Sequence, residues 1–366
     1  MKTFKLQKII VASLALAGLT FNSNLRAQVT VNIEGGSASS TVLFDRATNL
    51  FAGGSFTVSG STKANVATFV GSSLNPNLSG YGTITLNINL NNGAINGLQA
   101  LVNQQAGVGD TNYAGQPIIP TFVDSATTPD AVGISSSANN LTTEGGQPVY
   151  VVPLAFVANS NYPAVAGVTN LTQQQAVTLE TTTNNATFYG GTSSNTVYFV
   201  GRNSQSAVRT EIDLNIYNTL KIKTFTNNAA GLPVQDTSAD PGLTSASAVV
   251  STVTALTNSI GTVAVQNIKS PLVPIAYNGV NFSVTNVENG SYALWGYENY
   301  YYISSPNNGS PLTPQQAVLD AFYQSVTNLA FQSTTNLVFA NNFVPIPALR
   351  VSRNYDGGPI IPNPNY

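Results

Sequence analysis

Val197-Tyr-Phe-Val-Gly-Arg-Asn-Ser-Gln-Ser-Ala-Val-Arg-Thr-Glu-Ile-Asp-Leu-Asn-Ile-Tyr-Asn-Thr-Leu220 is the stretch from which the fold is read. Val197 to Val200 is a short β-branched and aromatic run that predicts a buried strand. Gly201 to Ser206 is a polar turn. After it Val208, Ile212, Ile216 and Leu220 recur every four residues, which predicts one face of a helix. A strand that passes through a Gly/Ser turn into a helix aims unpaired N–H groups, at the positive end of the helix dipole, past the strand's C-terminal edge. Arg202 stands at the mouth of that turn, and the arrangement suits an anion. The plainer reading is a surface turn with a solvated arginine, of a kind common in α/β domains.

The same grammar occurs twice more. Val29-Thr-Val-Asn-Ile33 alternates as a strand and leads through Glu34-Gly-Gly-Ser-Ala-Ser-Ser40 into a helical face of Val42, Leu43, Ala47, Leu50 and Phe51. Serines at such a place are also ordinary helix caps. Gly82-Thr-Ile-Thr-Leu-Asn-Ile-Asn-Leu90 alternates as well, and a Gly/Asn turn joins it to a helix over Ala94 to Val102.

Arg202-Asn-Ser-Gln-Ser-Ala-Val-Arg209 resembles the Arg-Asp-x-x-Ser-Gly-Thr-Arg turn of phosphate-binding proteins, the type 2 periplasmic receptors of ABC phosphate importers. Arg202, Ser206 and Arg209 fall on the motif, while Ala207 and Val208 replace its Gly and Thr. The resemblance implies a two-lobed α/β fold with two crossover strands. It implies an oxyanion held by Ser37, Ala38 and Ser39 from the first turn, by Asn92 and Gly93 from the second, and by Arg202, Ser206 and Ala207 from the third. Asp130-Ala-Val-Gly-Ile-Ser-Ser-Ser137 is similar to the family's Asp-x-Ala-x-Ser-Asp segment, which places Ser136 where the family carries an acid. A hydroxyl there would drop the discrimination between protonated and fully ionised oxyanions that a buried carboxylate provides. The order of elements follows the family too. Asn170-Leu-Thr172 precedes a short helix capped by Thr172 and Gln175, then come Phe188-Tyr-Gly-Gly191 and the Arg202 turn. Val287-Glu-Asn-Gly-Ser-Tyr-Ala-Leu294 is similar to the family's Asn-Gly-x-Tyr-Pro-Leu segment.

Composition narrows the chemistry. The chain has no Cys and no His, which removes disulfides, thiolate sites, Ser-His-Asp catalysis and the commonest zinc ligands. The 15 acids are scattered, and Glu211 and Asp213 point different ways on a helix, so no glycosidase-like pair is visible and no enzyme or cofactor is expected. Lys2, Lys5 and Lys8 precede the apolar run Ile9 to Gly18, followed by small and polar residues up to Arg26-Ala27. This predicts a secretory signal over 1–27 and a periplasmic or secreted protein. Losing Lys2, Lys5, Lys8 and Arg26 and no acid takes the formal net charge from −2 to about −6, which disfavours nucleic acid or an anionic membrane as partner. Charged residues are only 8% of the chain, so solubility rests on Ser, Thr, Asn, Gln and Gly.

About 340 remaining residues favour two lobes. The expected layout is lobe one over 28–150, lobe two over 151–268, and a return to lobe one with a C-terminal tail over 269–366. Pro148-Val-Tyr-Val-Val-Pro-Leu-Ala-Phe-Val157 serves as the first crossover and 262–268 as the second; 107–129 reads as loop, and Thr313-Pro-Gln-Gln316 caps a last helix with Val318, Phe322, Val326 and Leu329 inward. Two functions fit. One is a monomeric solute receptor for a phosphate-like oxyanion, with an ABC permease as the partner that the resemblance implies. The other is an exported structural or adhesive surface protein, either all-β or a binding fold that has lost phosphate.

Overall fold

A computed structural model describes residues 28–363, apart from 62–64, 74, 108, 163–164, 166, 305–313, 334–335 and 337. The expected secretory signal and Thr313, the expected cap, lie outside the described residues. The chain is α/β, and its strands join in one large mixed sheet.

Strand β1 (Val29–Gly35) buries Val29, Val31 and Ile33 on its inner face and is followed by helix α1 (Ser40–Leu50). The hairpin β2 (Phe56–Ser61) and β3 (Val66–Gly71) leads to β4 (Ile84–Asn89), helix α2 (Ala94–Asn103) and β5 (Phe122–Ser125). β1 lies parallel between β4 and β5. Strand β6 (Tyr150–Asn159) is buried along its whole length, as its apolar run predicts. Helix α3 (Gln173–Thr181) carries the expected reciprocal cap between Thr172 and Gln175. Then come β7 (Thr196–Val200), α4 (Ala207–Asn215), α5 (Ala246–Ala255), β8 (Ser259–Ala264), α6 (Val284–Glu288), β9 (Trp295–Ile303) and α7 (Pro314–Thr327). Across the main sheet the order is β2-β3-β4-β1-β5-β9-β6-β8-β7, ending on the two-residue strand Asn184–Asn185.

Two strands carry the sheet from one half to the other. Residues 295–298 of β9 pair with 153–150 of β6, while its residues 299–301 pair with β5. Beyond that junction, β6 turns to β8 through residues 154–158. The run expected as the return crossover over 262–268 is therefore the end of β8 and the 3-10 turn Val265–Asn267. The chain after it stays in the second half, since Leu272–Pro274 pairs back onto β6. The link to the first half is β9. Its aromatic spacing concealed this role, because a buried strand rich in Tyr reads equally as packing.

Other expectations fail for local reasons. The stretch 107–129 contains β5, a central strand only four residues long that carries Asp124, too short and too polar to show a period. Helix α4 stops at Asn215 because Tyr217 adopts a left-handed φ of 58°, so Leu220 is 61% exposed rather than inward. Leu329 lies beyond the end of α7 and is also exposed, whereas Val318, Phe322 and Val326 are buried as expected.

Phe122 of β5 is fully buried, with ring centroids 5.4 Å from Tyr300 of β9 and 6.0 Å from Phe322 of α7. It ties a short strand to the two elements that return late in the chain. Phe122→Ala is expected to cost ~3–5 kcal/mol of unfolding free energy in urea titration, against less than ~0.5 kcal/mol for Leu329→Ala; equal values would remove β5 from the core.

Candidate functional site

β1, β4 and β7 each end in a glycine-containing turn, and the three turns meet. Gly35 lies so close to β5 that a Cβ would stand 2.6 Å from the Asp124 carbonyl. The 3-10 turn Ser37–Ser39 then opens α1. Gly93, with φ of +88°, opens α2, and Ser206 caps α4 by accepting a hydrogen bond from the Arg209 amide at 3.3 Å. Ser37, Ala38, Gly93, Arg202, Ser206 and Ala207, drawn together from all three turns, line one small cavity. Gly36, Ala94, Ala126, Val208 and Glu298 complete its wall. The amides of a first helical turn have no intrahelical acceptor, which makes such a junction receptive to negative charge.

Three of the expected residues stand elsewhere. Ser39 is buried behind the wall and its hydroxyl donates at 2.6 Å to Oε2 of Glu298. Asn92 turns its amide to Asp110 at 3.0 Å. Ser136 sits in a surface turn, its hydroxyl donating at 2.8 Å to Asp130, and forms no part of the cavity. Ala126, just past β5, lines the cavity, and the strand that places it there was not expected from the sequence. Glu298 was also missed in the sequence. The available signal was a single acid in an aromatic run from Trp295 to Tyr302, where an unpartnered carboxylate is out of place.

Arg202 is 3% exposed. Its Nε donates to the Leu243 carbonyl at 3.0 Å and its Nη2 to the Thr244 carbonyl at 2.8 Å. Among the described residues no carboxylate pairs with it, and burial alone pushes its guanidinium down to about 10. Gly242 permits this clamp, since a Cβ there would stand 2.3 Å from the Arg202 carbonyl group. Arg209, by contrast, is engaged by Asp213 at 3.4 Å and Asp240 at 3.8 Å. The buried hydroxyl of Ser37 has no hydrogen-bond partner among the described residues.

Asp124 of β5 stands opposite Tyr300 of β9, two residues from Glu298 on the same face of that strand, and both acids are fully buried. Burial, countered by hydrogen bonds with Asp124 and Ser39, pushes Glu298 up to about 7; burial and then the charge of Glu298 hold Asp124 well above the usual carboxylate range.

The two sides of the cavity touch. The Ile95 amide donates to the Gln205 carbonyl at 3.2 Å, and Gln266 Nε2 donates to the Ser37 carbonyl at 2.8 Å and to that of Ala38. The enclosed volume is about 10 Å³, room for about one water. A tetrahedral oxyanion enters only if the turns move apart.

No model of a known protein family matches the sequence, and no curated protein does. Among solved structures, a phosphate ABC transporter substrate-binding protein from Clostridium perfringens, solved with bound phosphate, aligns over 87% of this chain and 99% of its own at 13% identity, with a TM-score of 0.56. An ABC-type phosphate transport receptor from Vibrio cholerae aligns over 80% and 93% at 16% identity with a TM-score of 0.47. PstS from Borrelia burgdorferi aligns over 87% and 98% at 13% identity with a TM-score of 0.43. The first of these establishes the two-lobed binding-protein fold. At such identity it establishes the fold alone.

Glu34, pushed up to about 10 by burial and by Asp110, and Glu180 and Glu211, raised mainly by burial, join Asp124 and Glu298 as carboxyls that the fold prefers protonated. The folded state therefore binds more protons than the unfolded chain above pH ~4, and stability falls as pH rises through 7. Scanning calorimetry should give a melting temperature several degrees higher at pH 5.5 than at pH 8.5; a rise with pH would contradict the buried, unpaired state of these acids.

Proposed function

We propose that the chain is an exported solute receptor that closes its two halves on a small oxyanion at the Arg202 turn. The observation that carries this reading is the buried guanidinium of Arg202, held by two carbonyls and paired with no carboxylate, on a cavity wall with the unpartnered Ser37 hydroxyl. A buried charge without a counter-charge is costly, and a bound anion relieves that cost. Ala38, Gly93 and Ala207 contribute backbone rather than side chains, and Ser206 serves as cap. Opening occurs about the junction where β6 and β9 pair, by the hinge motion common to two-lobed binding proteins. The Clostridium perfringens neighbour is named as a phosphate ABC transporter substrate-binding protein, and delivery to a permease of that class is the matching setting.

A second reading has its own support. The small cavity and the carboxyl of Glu298 on its wall suit a retained fold that no longer takes phosphate, with a structural or surface role. The all-β form of that alternative is set aside by helices α1 to α7.

The test is thermal shift followed by titration calorimetry. A ligand at a hundred times its Kd raises stability by about 2.7 kcal/mol, so phosphate or sulfate at millimolar concentration should raise the melting temperature. Arg202→Ala should then weaken affinity well over tenfold, in line with the ~2–5 kcal/mol lost on truncating one partner of a buried charge pair. Arg209→Ala should leave affinity nearly unchanged, because its charge is already engaged by Asp213 and Asp240. No shift with any oxyanion would favour the second reading.

A further inference from the structure

We propose that Asp124 and Glu298 form a proton-holding pair that couples oxyanion binding at Arg202 to proton uptake, one proton arriving with each anion and leaving with it. This rests on the receptor reading above and specifies its ligand as a fully ionised tetrahedral oxyanion.

The geometry places one carboxyl of the pair in the cavity wall itself, a wall that also holds Arg202, its one cationic residue among those described. Asp124 pairs in register with Tyr300, and Glu298 lies two residues from Tyr300 on the same face of β9, so the two buried carboxyls are neighbours. Neither oxygen of Asp124 has a hydrogen-bond partner among the described residues. Two neighbouring carboxylates offer acceptors only, so a hydrogen bond between them requires a proton on one. The groups facing the pair do not neutralise it. Tyr150 of β6 and Tyr300 and Tyr301 of β9 are buried phenols raised by burial and remain neutral, and Ser39 is a neutral donor. Glu211 of α4, packed against Gly296 of β9, and Asp356 of the C-terminal tail are further acids near this strand, and both act with Glu298 on the Tyr301 phenol. Arg46 of α1 reaches the cluster through Tyr300 but is engaged by Asp45, and Arg202 faces the cavity.

Charge counting then decides. With one shared proton the pair carries −1 against +1 on Arg202, and the cavity is neutral toward an anion. A second proton leaves Arg202 unopposed and turns a repelling carboxylate into a donor aimed at the ligand. The anion therefore selects the doubly protonated pair, and raising the pH removes that state.

Sulfate is the probe, because its own charge is constant between pH 5.5 and 8.5. Calorimetric titration of the mature chain in buffers of different ionisation enthalpy should show about one proton taken up per sulfate near pH 8, and affinity should fall by up to tenfold per pH unit above 7. Glu298→Gln keeps a donor and removes the titration. Its sulfate affinity should be flat with pH and at least tenfold tighter than wild type at pH 8.5. Asp124→Asn serves if that variant does not fold, and the proton count needs no variant. Arg202-dependent sulfate binding with a flat pH profile and no proton uptake would overturn the proposal while leaving the receptor reading in place. Binding of phosphate but never of sulfate would overturn it too, since the pair would then be accepting the ligand's proton. Absence of heat with both anions, in wild type and Glu298→Gln at every pH, would sink the receptor reading and this proposal together.

Discussion

Four residue pairs of antiparallel ladder, Trp295 to Glu298 against Pro153 to Tyr150, connect the halves of this molecule. Everything else in the site is placed by that junction. β9 continues from it to β5, and β6 continues from it to β8, so the turns that follow β1 and β7 are brought to one point although some 160 residues separate them in sequence. Glu298 is the last residue of the shared ladder. Its carboxyl thus lies at the mechanical centre of the fold, where a protonation change and a change of angle between the halves are hard to separate.

A chain with so few charges nevertheless buries many of its acids. Glu34, Asp110, Asp124, Glu144, Glu180, Glu211, Glu298 and Asp356 are buried, more than half of the 15 acids. Few have a cation for company. Burial raises several of them toward or past neutrality, which leaves the folded molecule less acidic in solution than its formal charge implies. Neutral amides and hydroxyls do the solvating, and the isoelectric point read from composition describes the unfolded chain better than the folded one.

Much of this was legible in the sequence, and for identifiable reasons. Strand-turn-helix units with Gly and Ser at the turn have local signals, so β1, β4, β7 and the helices after them could be read directly, and six of the nine expected residues meet in one cavity. What failed depended on distant partners. Strand β5 has no period to detect in four residues, and the expected acid-replacing position, Ser136, lies ten residues past Ala126, the residue that lines the cavity just after that strand. The crossover role of β9 is set by which strands it pairs with, a property that alternation cannot express. Glu298 belongs to the site only because β9 runs beside β5, so no local pattern could assign it.

The late position of β9 and α7 has a consequence for how the molecule is made. The second half draws its central strands β7 and β8 and helices α3 to α6 from one continuous run, and its core can condense as soon as that run has emerged. The first half cannot, because Phe122 waits for Tyr300 and Phe322, and β5 waits for its outer neighbour. During vectorial synthesis or passage through a membrane pore, residues emerge from the N-terminus, so β1 to β5 stay an open-edged sheet for most of the chain's length. The polar Thr and Ser of the exposed strand β2 then guard one edge of a half-built sheet, and a chaperone that holds the other edge until residue 303 appears would shorten the interval in which chains can pair wrongly.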